Sequence, residues 1–260
     1  MRLAGKVALI SGGARGMGAV EARFFAQEGA RIVIGDILEG EGAAVAAGIG
    51  AKGGEAVFVR LDVTSERDWE RAVATAERRF GKLDVLVNNA GISGPTAPVE
   101  AIDIADWDRT IGVDLNGMFY CTRKAVPLLK EAGGGCIINL SSVAGRLGYP
   151  LRTPYAAAKW AVVGFTKSLA MELGPANIRV NAIQPGIVEG ERIERVISAK
   201  AKALGVSFED YKEQLLSKVS LRRTVSPADI ANMALFLATD AGRNISGQAL
   251  SVCGNVESLV

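Results

Sequence analysis

Short apolar runs recur along the chain, separated by longer amphipathic stretches: "VALISGG", "RIVIGD", "AVFVRLDV", "DVLVNNAG", "CIINLSS", "IRVNAIQPG" and "QALSVCG". The early runs are almost unbroken in Val, Ile and Leu, the pattern of parallel strands covered on both faces. Between them polar and apolar positions follow a helical period, as in "DWERAVATAERRFG" over residues 68–81. Seven strands alternating with helices predict an α/β protein with an open, doubly wound parallel sheet and helices on both faces. No internal repeat, low-complexity tract or linker interrupts the chain, so a single domain over 1–260 is expected. One segment breaks the rhythm. Residues 187–222 separate the sixth strand from the last helix and are far longer than an ordinary connection, which predicts a lid insertion.

Composition narrows the chemistry. Hydrophobic residues make up 49% of the chain and charged residues 22%, enough to bury a sizeable core. Thirty basic against 28 acidic residues give a net charge of +2, no footprint for nucleic acid or an acidic membrane surface. Cys121, Cys136 and Cys253 are odd in number and scattered, which argues against a disulfide framework or a metal cluster and fits a reducing, cytoplasmic compartment. No stretch approaches 18 uninterrupted apolar residues, so no membrane span is expected. The chain has no histidine. That removes Ser-His-Asp hydrolysis, Cys-His proteolysis and histidine-ligated metals, and leaves proton transfer to Tyr, Lys, Asp, Glu or Cys.

The first strand runs into "SGGARGMG", and a helix opens directly after it. Gly12, Gly16 and Gly18, with Arg15 and Met17 between them, suit a tight turn and a close backbone approach to a pyrophosphate at a helix N-terminus. The spacing is not G-x-G-x-x-G, and no Lys-Ser/Thr follows, so this is not a Walker loop. The second strand ends at Asp36. A carboxylate there accepts the ribose hydroxyls of an adenosine and repels a 2′-phosphate, so NAD is expected over NADP. Arg15 is the contrary sign, since it could meet that phosphate. The plainer reading of Asp36 is a strand-end turn residue.

Tyr155 and Lys159 in "YAAAKW" stand four apart at the start of a helix and share a face. Ser142 follows the fifth strand, at the sheet end where ligands bind in open α/β folds. A phenol titrating near 10 serves as a base near neutrality only with positive charge beside it, which Lys159 supplies. With these residues the chain resembles the short-chain dehydrogenase/reductase family, from about Lys6 to Gly254. "SGGARGMG" is similar to its T-G-x-x-x-G-x-G turn with Ser11 for Thr. The resemblance places Asp62 and Val63 of "LDV" at the adenine, Asn89, Ala90 and Gly91 of "NNAG" along the cofactor, and Pro185 and Gly186 of "QPG" beside the nicotinamide. It implies a seven-stranded Rossmann-type sheet and a homotetramer, with a dimer as the smaller alternative. It also implies that Ser142 orients the substrate oxygen, Tyr155 transfers the proton, and Lys159 binds the ribose. Longer nucleotide-sugar epimerases differ in glycine spacing, and enoyl reductases separate Tyr and Lys more widely.

Three positions depart from the family pattern. In "VDLNGMF" the family's catalytic Asn falls on Asp114, while Asn116, two positions on, is turned about 200° away in an α-helix. In the family that Asn acts partly through its backbone carbonyl, which survives the change to Asp. Activity should therefore be retained, with Asp114 either ionised near Lys159 or tied to a local backbone N–H. Its extra negative charge opposes deprotonation of Tyr155, so Asp114→Asn is expected to move the alkaline optimum slightly downward. Gly190 replaces a Thr that anchors the nicotinamide amide, leaving the backbone of Val188 for that contact. Cys253 stands where Asp is usual, a structural change.

The lid segment mixes charged and apolar positions, and its charges read as a solvated face. Arg146, Leu147, Tyr149 and Arg152 in "GRLGYPLRTP" should flank the pocket; Arg152 would bind an anionic substrate group or form a surface salt bridge. "GKVALISGGARGMGA" and "GARIVIGDILEGEG" are similar to bacterial NAD-dependent hydroxysteroid and cyclic-alcohol dehydrogenases of the family. The expected activity is hydride transfer between a secondary alcohol or ketone and NAD. A 3-oxoacyl-thioester reductase is the enzymatic alternative, and a non-catalytic NAD-binding sensor is the alternative of another class.

Overall fold

The computed structural model describes residues 1–259. Its strands are β1 (Val7–Ser11), β2 (Arg31–Asp36), β3 (Ala56–Arg60), β4 (Val85–Asn88), β5 (Gly135–Leu140), β6 (Ile178–Pro185) and β7 (Ala249–Val252). They form one seven-stranded sheet in the order β3-β2-β1-β4-β5-β6-β7, every pair parallel. The expected doubly wound Rossmann-type architecture is found. The chain builds outward from β1 to β3, then returns to place β4 on the other side of β1. This reversal opens a crevice at the carboxyl ends of the strands.

The helices are α1 (Gly16–Gln27), α2 (Glu39–Gly50), α3 (Glu66–Phe80), α4 (Ile104–Ile111), α5 (Gly117–Glu131), α6 (Thr153–Leu173), α7 (Glu191–Leu204), α8 (Phe208–Ser217) and α9 (Pro227–Ala238). Local signals explain their ends. Ser65 caps α3 by accepting from the Asp68 N–H at 3.2 Å, and Gly81, at φ 77°, closes it in the left-handed conformation. Ser226 and Asp229 form a capping box at the start of α9, with Pro227 in its first turn.

The strand residues alternate between two cores, as the pleat requires. Ala8 and Ile10 of β1 join Ala22 and Phe25 of α1 and Ile230 and Ala234 of α9. Val7 and Leu9 point the other way, to Trp69 and Ala72 of α3 and Cys121 and Ala125 of α5. A third apolar cluster, with Ile197 of α7, Tyr211 and Leu215 of α8, and Val143, covers the substrate end of the crevice. Within segment 187–222, α7 and α8 pack down by an apolar face. Among the described residues no helix is long and apolar enough to cross a membrane.

Between α4 and α5 the chain does not stay α-helical. Gly112–Asn116 form a π-helical turn, one residue wider than the α-helical turns on either side. This turn carries Asp114 inward, wholly buried, and leaves Asn116 exposed.

Glu21 on α1 is wholly buried, and neither carboxylate oxygen has a partner. Burial pushes its pKa from 4.5 up to about 8. A carboxyl raised in the native state costs nothing below its unfolded value and destabilises the fold as pH climbs towards the native one. Between pH 5 and 8 the protein should lose on the order of 3 kcal/mol of unfolding free energy through this group. The Glu21→Gln variant should lack that slope. Urea denaturation of both proteins at the two pH values checks it, and equal slopes would exclude Glu21 as the source.

Candidate active site

The crevice above β1, β4, β5 and β6 has a volume of about 1000 Å³. At its nucleotide end the chain turns from β1 into α1 through Gly12–Arg15. A Cβ on Gly12 would lie 2.8 Å from the Ala90 Cα, and one on Gly18 would strike the Gly12 carbonyl. Gly12, Arg15, Gly16 and Met17 line the crevice, whereas Gly18 is buried under the turn it permits. No side chain caps the N-terminus of α1, so its first N–H groups are open to an anion.

Ser11, noted in the sequence only as a stand-in for Thr, holds the turn to the next loop. Its Oγ accepts from the Asn89 and Ala90 N–H groups at 3.2 and 3.1 Å. Asn89 Nδ2 in turn donates to the Ser11 and Gly12 carbonyls, both at 3.0 Å. A serine hydroxyl performs this as a threonine would. Beneath it, buried Asn88 donates to Asn139 Oδ1 at 2.9 Å, and Asn139 donates to Thr166 Oγ1 at 3.0 Å, tying β4 to β5 and α6.

Asp36 ends β2 with its carboxylate fixed by the Ala14 and Leu38 N–H groups at 3.0 and 3.1 Å. Arg15 does not reach across to it: its guanidinium is engaged by Glu41 of α2. Asp62 and Val63 also line the crevice. The Val63 carbonyl is already taken by Trp69 Nε1 at 2.9 Å, and the Asp62 carboxylate by the Thr64 N–H and hydroxyl at 2.9 and 2.7 Å.

On the far wall stand Ser142, Tyr155 and Lys159. Ser142 leaves β5 in extended conformation and caps the short turn after it, its Oγ accepting from the Ala144 N–H at 3.1 Å. Ser141, its neighbour, donates to the Lys159 carbonyl at 2.8 Å. Tyr155 and Lys159 are one turn apart on α6, which begins at Thr153 with Pro154 in its first turn. The Lys159 ammonium lies 5.5 Å from the Tyr155 ring centre, and the Arg152 guanidinium 5.4 Å from the same ring. Two cations therefore pack against the Tyr155 ring.

Asp114 does not line the crevice; it stands behind Lys159. Its Oδ2 is 3.3 Å from Lys159 Nζ, while its Oδ1 accepts from the Ile92 N–H at 2.7 Å. Both alternatives drawn from the sequence hold together: the carboxylate pairs with the lysine and ties down the β4 loop. Lys159 Nζ also donates to the Leu140 carbonyl at 3.1 Å. Asp114 thus contacts the ammonium from behind, off the crevice wall.

Beyond β6, Pro185, Gly186 and Val188 complete the wall. Gly186 passes so near the last strand that a Cβ there would lie 2.7 Å from the Cys253 Cα. The bridge between Val188 and Val225 uses the Ile187 carbonyl and the Glu189 N–H, leaving Val188's own backbone groups to the crevice. Gly190 adopts φ 130° as the cap of α7.

Four expectations on the substrate side need correction. Arg152 lines the crevice with Tyr149, and it is the surface salt-bridge alternative that fails: the residue is 2% exposed, with Nη1 donating to Thr96 Oγ1 at 3.0 Å and Nη2 to the Ser93 carbonyl at 2.5 Å. Among the described residues no carboxylate pairs with it. Leu147 lies in the apolar cluster beneath the lid and does not line the crevice, because the turn at Val143–Gly145 folds it down. Arg146 reaches the C-terminal segment, donating to the Val256 carbonyl at 2.9 Å. Finally, the charges of the lid are not all solvated. Lys200 of α7 is 3% exposed, with its ammonium 4.7 Å from the Tyr149 ring. It was legible as a lysine spaced i, i+4 from Val196, on the buried stripe of α7.

A glycine turn at an uncapped helix, a strand-end carboxylate and a hydroxyl–phenol–ammonium wall define a dinucleotide-dependent oxidoreductase. The profile of the family described as "Enoyl-(Acyl carrier protein) reductase" matches residues 12–255. The chain belongs to the short-chain dehydrogenase/reductase family, as its motifs implied. It is 45% identical to the trans-4-hydroxycyclohexanecarboxylate dehydrogenase of Sinomonas cyclohexanicum, over 97% of this chain and 93% of that protein. It is 42% identical to the 3-alpha-(or 20-beta)-hydroxysteroid dehydrogenase of Mycobacterium tuberculosis, over 97% of this chain and 90% of that one. Among solved structures, an NAD+-bound xylitol dehydrogenase superposes with a TM-score of 0.94 at 32% identity, covering 98% of this chain and all of that one.

Proposed function

We propose that the protein interconverts a cyclic secondary alcohol and its ketone with NAD. The convergence of Ser142, Tyr155 and Lys159 on one wall of the Asp36-ended crevice carries this reading. The residues fit the cofactor on their own terms: Gly12 and Gly18 leave a cradle that a Cβ would fill, and the α1 N-terminus is open to a pyrophosphate. Asp36 suits the adenosine ribose, and Val188's backbone the carboxamide. When bound, NAD accepts the hydride released from the carbinol carbon. Ser142 Oγ holds the carbinol oxygen, and Tyr155 takes the hydroxyl proton as the C–H bond breaks. Lys159, steadied by Asp114 and the Leu140 carbonyl, holds positive charge beside the Tyr155 ring. Reduction runs the same steps backwards, with Tyr155 as the acid.

The resemblance to proteins named for cyclic alcohols supports the substrate class, though fold and cofactor alone do not fix a substrate. A 3-oxoacyl-thioester substrate fits less well with Asp36, since biosynthetic reductions usually draw on NADPH. Exposed Phe119 on α5 and Trp160 and Met171 on α6 support assembly into a homotetramer through those helices, and three buried free cysteines fit a cytoplasmic setting.

Arg15 is occupied by Glu41, so the carboxylate of Asp36 governs the ribose end. Steady-state kinetics should give a higher kcat/KM for NAD than for NADP. The Asp36→Ser variant should narrow the ratio by roughly 10- to 100-fold, the equivalent of about 1–3 kcal/mol. A preference for NADP in the unaltered protein would contradict the reading.

A further inference from the structure

Around Tyr149 three cations meet that form no ion pair among the described residues. Arg152 packs its guanidinium 5.5 Å from the Tyr149 ring, and Lys200 sits 4.7 Å from that ring and 5.9 Å from the ring of Tyr211. Arg192, at the start of α7, lines the crevice beside them. Among the described residues none of these three cations has a carboxylate within 4.0 Å. Burial and the neighbouring Arg152 push the Lys200 pKa down to about 8.

The unpaired atoms in this cluster are all donors. Arg152 Nε, Arg192 Nη2 and the Tyr211 hydroxyl are buried with no hydrogen-bond partner. Burial also raises the pKa of Tyr149 and Tyr211, which keeps both phenols protonated and able to donate. Buried donors and unpaired buried cations are costly, and one acceptor carrying negative charge relieves both costs together. Planar guanidinium groups favour a planar, two-oxygen acceptor.

We propose that this end of the crevice is a carboxylate-recognition subsite. Arg152, Arg192 and Tyr149 face the substrate, Lys200 and Tyr211 back them, and the subsite selects alcohols carrying a carboxylate remote from the carbinol. The inference rests on the alcohol dehydrogenase reading and names the substrate class within it. Arg152 lies against both the Tyr149 and Tyr155 rings, so the carboxylate and the reacting carbon belong to one compact molecule, on the scale of a single substituted ring.

The test needs no turnover. Cyclohexanecarboxylate, which has no carbinol to oxidise, is titrated calorimetrically into the enzyme–NADH complex, with cyclohexanecarboxamide as the neutral control. The acid should bind at least 10-fold more tightly than the amide. Arg152→Gln and Lys200→Met should each weaken the acid at least 10-fold and leave the amide within about twofold. NADH affinity reports whether each variant is folded, and Lys200→Met, which keeps length and apolar packing, covers a failure of Arg152→Gln to fold. Equal binding of acid and amide, binding of neither, or a folded pair of variants with unchanged affinity for the acid would overturn the subsite. Failure to oxidise any alcohol would instead overturn the catalytic reading, with the calorimetric result standing.

Discussion

Replacing Tyr155 by Phe should lower kcat for alcohol oxidation by on the order of 10³-fold, within the range for removing a general acid–base group. The hydroxyl stands on the crevice wall with Ser142 and Lys159, the chain has no histidine, and Asp114 lies behind Lys159. The ring itself stays in place in the variant. Lys159 and Arg152 pack at 5.5 and 5.4 Å from its centre, contacts that need a π-face and not an oxygen. NADH binding should therefore survive within a few-fold, which separates lost chemistry from lost structure. A Phe variant within tenfold of the parent would remove Tyr155 from the proton step.

The second large effect concerns the buried pair. Lys159→Met should abolish turnover and also destabilise the fold by roughly 3–5 kcal/mol, because the Asp114 carboxylate is left wholly buried with only the Ile92 N–H. Asp114→Asn is milder. Lys159 keeps the Leu140 carbonyl and its place on the crevice, so activity should persist with the alkaline optimum moved slightly downward. The double variant should recover most of the stability lost in Lys159→Met, since neither charge then remains unpaired, and recover none of the activity. Urea denaturation and a pH–rate profile measure the two halves separately. If the double variant were as unstable as the sum of the singles, the pair would not be coupled. If Asp114→Asn were inactive though folded, the carboxylate would have a chemical role of its own.

The sheet was legible because its strands are buried on both faces and so read as runs of Val, Ile and Leu, bounded by glycine or Asx turns. The wall of Ser142, Tyr155 and Lys159 was legible for a different reason: spacing puts a strand end and the first turn of a helix at the crevice, and the family resemblance singled out these three residues. Periodicity showed that Asp114 and Asn116 face apart and the family pattern singled out Asp114, but neither revealed the π-turn that delivers it. One residue more in a single turn barely changes the pattern of apolar positions over 104–131. The surface salt bridge offered for Arg152 and the solvated reading of the lid charges, Lys200 among them, failed by the same assumption, that a long cation belongs in water. Their burial depends on Tyr149 and Tyr211, which come from a loop and from α8 and meet only in the folded chain. The Ser11 clamp was hidden because its partners, Asn89 and Ala90, lie 78 and 79 positions away.

The central claim is that the Ser142–Tyr155–Lys159 wall oxidises a secondary alcohol with NAD bound along the Asp36 crevice. It is tested most directly by incubating the protein with NAD and a panel of cyclic secondary alcohols and following the absorbance of the reduced cofactor. The account predicts formation of NADH with at least one ring alcohol, lost when Tyr155→Phe replaces the parent protein. No reduction of NAD across the panel by protein that binds NADH, or equal reduction by the Phe variant, would contradict it.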